Sequence, residues 1–213
     1  EKFFEEALQR GNAKAALQIG QMYMFDYSPN YPQKKRYKYM IAMYELAAKM
    51  GCPEAWQALA VCYDNGWGVR KSYKKAIELV KKGAELGSPL AMAQYGEALA
   101  YEFFQFEEGR KWLRRSMDLG NGDAAIPIAR IYDFEENAEG IIQSLRAGAK
   151  LGSIDAIDHL SLTYLIGEYG QDKNVEYGNR LDELQKSLDP FYPPKPIPDY
   201  DQRFPPLPIK PWK

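Results

Sequence analysis

Apolar residues recur every three or four positions within segments about a dozen residues long, the spacing of one helix face. The segments themselves repeat in a longer frame set by glycine. Gly11, Gly51, Gly87, Gly120 and Gly152 stand 32 to 40 residues apart. Four residues after each comes an alanine: Ala15, Ala55, Ala91, Ala124, Ala156. Eight after, the residue is Ile19, Leu59, Tyr95, Ile128 or Leu160; twelve after, it is Tyr23, Tyr63, Leu99, Tyr132 or Tyr164. Nine after, it is small: Gly20, Ala60, Gly96, Ala129, Ser161. Four before, it is small again: Ala7, Ala47, Gly83, Ser116, Gly148. Six aligned columns in five copies mark a repeat protein.

Positions 4, 8 and 12 share one helical face. The small residue at position 9 admits a neighbouring helix, and the glycine ends the preceding one in a left-handed cap. Asn12, Ser88, Asn121 and Ser153 are good N-caps, and Pro53 and Pro89 suit a first turn. The pattern predicts helix pairs over 13–25 and 36–50, 53–65 and 72–86, 89–101 and 106–119, 122–133 and 138–151, and 154–166 and 173–188. Glu1–Arg10 reads as the second helix of a truncated earlier repeat. No segment alternates with the period of a strand.

These columns, with the loop Gly66-Trp67-Gly68-Val69 and the junction Tyr164-Leu165-Ile166-Gly167-Glu168-Tyr169-Gly170, resemble the Sel-1-like repeat family, relatives of the tetratricopeptide repeats. The resemblance covers residues 3 to 188. It implies an all-α fold: an α/α solenoid, a right-handed superhelix of helix-turn-helix repeats over 1–189, followed by a proline-rich tail over 190–213. Asp26–Lys35 reads as an insertion, Phe103–Gln105 as a shortened loop, and the fourth loop lacks glycines. A cysteine-rich branch of the family carries a disulfide in each repeat and has been linked to penicillin binding. This chain lacks those cysteines, and that activity is not carried over.

From Asp189 onward prolines crowd the chain, excluding helix and favouring extended backbone. Phe191, Tyr192, Tyr200, Phe204 and Trp212 are interleaved. Rings at this density are expected to cap the open end of the last repeat. A ligand for a proline-binding partner is the other reading.

Candidate chemistry is sparse. The 213 residues are 46% hydrophobic and 27% charged, with a formal net charge of -1. That balance gives no general pull toward nucleic acid or acidic membranes. No apolar run reaches the ~20 residues of a membrane span. Cys52 and Cys62, about 15 Å apart if on one helix, are expected to be free thiols in the core. The single histidine, His159, has no partners for a metal site or a Cys-His pair. Asp155 and Asp158 alone specify no reaction. The expectation is a protein without catalytic residues, metal or cofactor.

Charge divides unevenly between the helices of each pair. By analogy with tetratricopeptide geometry, first-helix residues line a concave surface, and there acids dominate: Glu54, Asp64, Glu97, Asp123, Asp133, Asp155 and Asp158, with Gln57, Asn65, Tyr101, Arg130 and Lys14. Second helices carry cations instead, Lys71, Lys74, Lys75, Lys81, Lys82, Arg110, Lys111, Arg114, Arg115, Arg146 and Lys150. Helix dipoles account for first-turn acids but not for Asp64, Glu97, Asp133 and Asp158. Glu54, Gln57, Asp64, Glu97, Tyr101, Arg130, Asp133 and Asp158 are therefore the expected partner-binding residues, with Glu97 and Asp133 facing solvent.

The function expected is protein binding. Compact chains of this repeat type with an aromatic, proline-rich end, here Arg203–Trp212, resemble the immunity proteins encoded beside type VI secretion phospholipase effectors. The resemblance implies a monomer before binding that silences a toxin in the bacterial periplasm, with a lipid anchor on a removed N-terminal segment as one arrangement and the cytoplasm as the alternative location. A scaffold or regulatory adaptor in a signalling or envelope complex is the second reading. A peptide or peptidoglycan-fragment receptor is the third.

Overall fold

The computed structural model describes Gln9 and residues 11–25, 32–188 and 195–209. Among the described residues all regular structure is helical: α1 (Ala13–Phe25), α2 (Gln33–Lys49), α3 (Pro53–Asn65), α4 (Tyr73–Glu85), α5 (Pro89–Tyr101), α6 (Phe106–Asp118), a 3₁₀ turn (Gly122–Ala124), α7 (Ala125–Phe134), α8 (Ala138–Lys150), α9 (Ile154–Ile166), α10 (Val175–Ser187) and α11 (Tyr200–Arg203). The helix pairs thus stand where the column pattern puts them. Residues 1–95 and 96–213 form two compact units. In the first, α1 packs on α2, α2 on α3 and α3 on α4; in the second, α6 packs on α7, α7 on α8, α8 on α9 and α9 on α10.

One backbone motif ends four of the second helices. The N–H of the residue after the frame glycine donates to the carbonyl four residues before that glycine: Cys52 to Ala47, Ser88 to Gly83, Asn121 to Ser116, Ser153 to Gly148. The glycine N–H donates one residue further on, to Ala48, Ala84, Met117 and Ala149. This is the Schellman cap, and it requires left-handed backbone at its glycine. Gly51, Gly87, Gly120 and Gly152 supply it, with φ of 86, 96, 90 and 86°.

The cap explains the small columns. A Cβ at Gly83 would lie 3.0 Å from the Cβ of Ala91 and 3.1 Å from the carbonyl oxygen of Pro53. At Gly148 it would lie 2.5 Å from the Cβ of Ala125, 2.7 Å from the carbonyl oxygen of Gly122 and 3.0 Å from the Cβ of Ala156. The end of one second helix is therefore wedged between the starts of two first helices, and the column four before the glycine touches the column four after it. The position-9 column works within pairs. A Cβ at Gly96 would stand 2.8 Å from the Gly109 carbonyl oxygen, so α5 and α6 meet backbone to backbone, and one at Gly20 would run into the ring of Tyr44.

A second recurring bond closes four of the turns within pairs. The amide opening the second helix donates to the carbonyl of the position-12 residue: Ser72 to Tyr63, Gln105 to Leu99, Asn137 to Tyr132, Asn174 to Tyr164, at 2.7–2.8 Å. Ser72, Asn137 and Asn174 then cap their helices through the side chain, accepting from the N–H groups of Lys75, Gly140 and Tyr177.

Three expectations need correction. The segment Asp26–Lys35 is not wholly loop, because α2 already begins at Gln33, directly after Pro32. Arg110 and Arg146 do not belong to a cationic outer face. Arg110 has a side chain only 6% exposed, bonded to Glu135 at 2.6 and 2.9 Å and to Glu107 at 2.8 Å, under the ring of Tyr132. Burying a guanidinium demands such partners. The proline-rich end does contain helix, since Tyr200–Arg203 is a proline-free stretch long enough for one turn.

The described part of that end packs into the core of the second unit. Ile197, Tyr200 and Phe204 are buried in one cluster with Leu160, Tyr164, Tyr177 and Leu181. The N–H of Ile197 donates to the carbonyl of Lys150 at 2.8 Å, and Arg146 donates to the carbonyl of Phe204 at 2.6 Å and to Asp201 at 3.2 Å. The helix expected over Glu1–Arg10 lies, apart from Gln9, outside the described residues, as do Phe191, Tyr192 and Trp212. Cys52 and Cys62 are free and buried, and burial pushes the Cys62 thiol up to about 12. No described helix is long and apolar enough to cross a membrane.

Two substitutions check this packing by chemical denaturation. Gly148→Ala should cost ~1–3 kcal/mol through overpacking against rigid backbone. Phe204→Ala should cost ~3–5 kcal/mol, as expected for a buried ring. Unchanged midpoints in either would contradict the packing described.

Candidate functional site

The expected binding residues fall into both compact units. In the first, Glu54 opens α3. It accepts from the Cys52 thiol at 3.1 Å, and its own backbone amide at the helix start holds its carboxyl below the usual range, with Lys14 adding to the effect. Its acidity thus follows from the helix terminus. Gln57 is half-buried on α3, and Asp64 is exposed at its last turn.

The second unit gathers more. Glu97 and Tyr101 stand one turn apart on α5, Arg130 and Asp133 on α7. The Tyr101 hydroxyl donates to the carbonyl of Pro127 at 2.8 Å, tying the end of α5 to α7. Burial pushes this phenol up to about 12, with the Arg130 charge opposing and Glu97 reinforcing. Glu97 is half-buried and does not simply face solvent. Burial raises its carboxyl above the ordinary carboxylate value, and the Arg130 charge works against that rise. The site therefore mixes signs: a half-buried acid and an exposed guanidinium that act on one another and both on the Tyr101 phenol.

Beyond Arg130 the surface dips into a cavity of about 70 Å³. Ile126, Ala129, Ile141 and Leu145 form its apolar floor, and Arg130, Asp133, His159 and Tyr169 its polar rim. At roughly twice the share of one water molecule in the liquid, it has room for a small side-chain tip. Burial raises the Tyr169 phenol, and the charges of Asp133 and Glu168 push the same way. Asp158 does not line this cavity. It accepts from Gln185 Nε2 on α10 at 3.4 Å. The next residue on α9, His159, is the one that lines the cavity.

His159 and Tyr169 were not among the expected site residues. Nothing in the helix period marks either one. Tyr169 sits in the junction loop with φ of 50°, which turns it back toward α7. Among the described residues no three His, Cys, Asp or Glu side chains gather as a metal-binding group.

No family model matches the chain. Its fold is similar to that of a Sel1 repeat protein from Oxalobacter formigenes, with a TM-score of 0.71 and 19% identity over 88% of this chain and 78% of that one. It is also similar to the immunity protein PA5088 from Pseudomonas aeruginosa, with a TM-score of 0.72 and 16% identity over 98% of this chain and 79% of that one. The immunity protein Pa5087 from the same organism gives 0.52 and 17% over 92% and 89%. The fold is thus the α/α solenoid of Sel1-type helix pairs.

The Glu97–Arg130 relation can be read directly. Removing the opposing charge with Arg130→Gln should move the Glu97 titration midpoint further up, as followed by carboxyl NMR. Because a raised folded-state pKa favours the protonated acid, Glu97 contributes stability only below its unfolded pKa and loses it as pH rises through the folded value. Glu97→Gln should therefore stabilise the second unit at neutral pH, with the gain vanishing in acid. An unmoved midpoint in Arg130→Gln would separate the two groups.

Proposed function

We propose that this chain is an immunity protein, which binds a secreted antibacterial phospholipase effector and neutralises it in the bacterial periplasm. The observation that carries this reading is the fold similarity to an immunity protein along 98% of the chain. The arrangement of side chains is compatible with it. A solenoid holds its first-helix residues on rigid elements, so little ordering entropy is lost when a partner docks. Inhibition then needs no chemistry from the inhibitor, only an occupied face on the enzyme.

In this reading Glu54, Gln57 and Asp64 in the first unit and Glu97, Tyr101, Arg130, Asp133 and Asp158 in the second contact the effector. Exposed acids such as Asp64, Asp133 and Asp158 draw in a basic face of the partner during encounter. Tyr101 contributes differently. The residue is 36% exposed while its hydroxyl is already bonded, which holds the ring in place. Fixed aromatic anchors act mainly on dissociation.

The test is inhibition of a purified phospholipase effector encoded beside this gene, with binding kinetics measured at several ionic strengths. Association should slow as salt rises, and Asp133→Lys with Asp158→Lys should slow it roughly tenfold while dissociation changes little. A phospholipase that keeps full activity with excess chain present would refute the reading.

A further inference from the structure

Outside the helix faces just described, the second unit carries an aromatic edge. Phe103 and Phe104, in the turn between α5 and α6, are 49% and 74% exposed, and Phe134, at the end of α7, is 72% exposed. Phe106 links the two turns, its ring centroid 4.9 Å from that of Phe134. Several phenylalanines open to water on neighbouring turns are costly to keep in solution, and contiguous apolar patches of this kind mark interaction sites.

The backbone adds a second observation. Phe104 has a φ of 54°, a left-handed conformation that glycine or asparagine adopts far more readily. The turn is closed by the Gln105 amide on the Leu99 carbonyl, a bond that any residue at 104 would leave intact. Its exposure shows that the ring fills no hole in the fold. Glu136 holds the same φ of 54° one residue before the closing amide of the next turn, so the backbone shape belongs to the turn, and what calls for a use outside the fold is the exposed ring placed on it.

Charge identifies the occupant. The rings are bordered by Glu102, Glu107, Glu108, Glu135 and Glu136. One buried guanidinium, Arg110, serves both Glu107 and Glu135, and Lys111 pairs with Glu108. Glu102 and Glu136 are exposed and form no ion pair with the described residues. The border is therefore net negative. A lipid surface of anionic headgroups would be repelled, and a second copy of this edge would bring like charges together.

We propose that the edge formed by Phe103, Phe104, Phe106 and Phe134 is a protein-docking surface whose partner segment places large apolar side chains beside lysine or arginine. The proposal deepens the reading above and rests on it for the identity of the whole partner. The rings fill apolar pockets on the partner while Glu102 and Glu136 meet its cations at the rim, so the edge selects against acidic or wholly polar segments.

The experiment pans a phage-displayed library of random short peptides on the full chain, then measures affinities of the enriched peptides. Recovered peptides should combine Phe, Leu or Trp with Lys or Arg. Phe104→Ser with Phe134→Ser should weaken them about tenfold or more, and Glu102→Lys with Glu136→Lys should do so with loss of salt dependence. Thermal midpoints should stay level in both. Phe104→Asn should hold or raise the midpoint and still lose affinity, which a packing role would not produce. Peptides that bind the phenylalanine variant equally, an acidic consensus, no enrichment, or phenylalanine-dependent dimerisation in sedimentation would each overturn the proposal. Phospholipase inhibition separates the two readings. Inhibition unaffected by Phe104→Ser with Phe134→Ser removes the docking edge and leaves the immunity function. Phenylalanine-dependent peptide binding without inhibition of the effector does the reverse.

Discussion

The constraint on which the rest depends is the joint where a second helix ends between the starts of two first helices. At Gly148 the new Cβ would come within 2.5–3.0 Å of three neighbours on two other segments. The Schellman cap fixes the path by which the chain leaves that joint, and it fixes the next N-terminus with it. Ser153 shows how tightly the parts are coupled. Its amide completes the cap on Gly148, and its hydroxyl caps α9 at Ala156 and donates to Asp123 at 2.6 Å. Gly83 makes the same kind of joint in the first unit with Pro53 and Ala91. The repeat frame is the sequence record of this joint.

What could be read from residues alone follows from that geometry. Contacts closer than a methyl group permit only glycine, alanine or serine, so they leave visible columns and the helices can be placed from them. The turns within pairs leave less of a trace, since glycines such as Gly66 and Gly167 mark only some of them. Their common closing bond uses only backbone, and a backbone bond does not select a side chain. The start of α2 at Gln33, directly after Pro32, and the helical turn at Tyr200, between Pro198 and Pro205, were lost for a related reason, since each adjoins prolines that read as breaks in helix.

Charge was harder to read than shape. Sequence position places Arg110 and Arg146 on second helices but does not reveal the partners that bury them. Arg110 takes its acids from its own first turn and from Glu135, 25 residues away, and Arg146 finds Tyr177, Asp201 and the Phe204 carbonyl. The residues expected to bind show the same limit. Glu97 fits the stripe of acids, yet the half-burial that raises its pKa and its relation to Arg130 come from the stacking of α5 and α7. His159 and Tyr169 join the cavity rim from α9 and from the loop after it, a pairing that an averaged helical period does not resolve.

The backbone bond that closes four of the helix pairs spans turns of very different length, from Tyr132–Asn137 to Tyr164–Asn174. Loop-closure entropy rises only with the logarithm of length, about 0.6 kcal/mol per doubling. Residues can therefore be gained, lost or exchanged between those two anchors at little cost to the helices on either side. Inheritance of the scaffold is thereby uncoupled from inheritance of the turns. Sequence change can then gather in the turns generation by generation while the helical frame stays still.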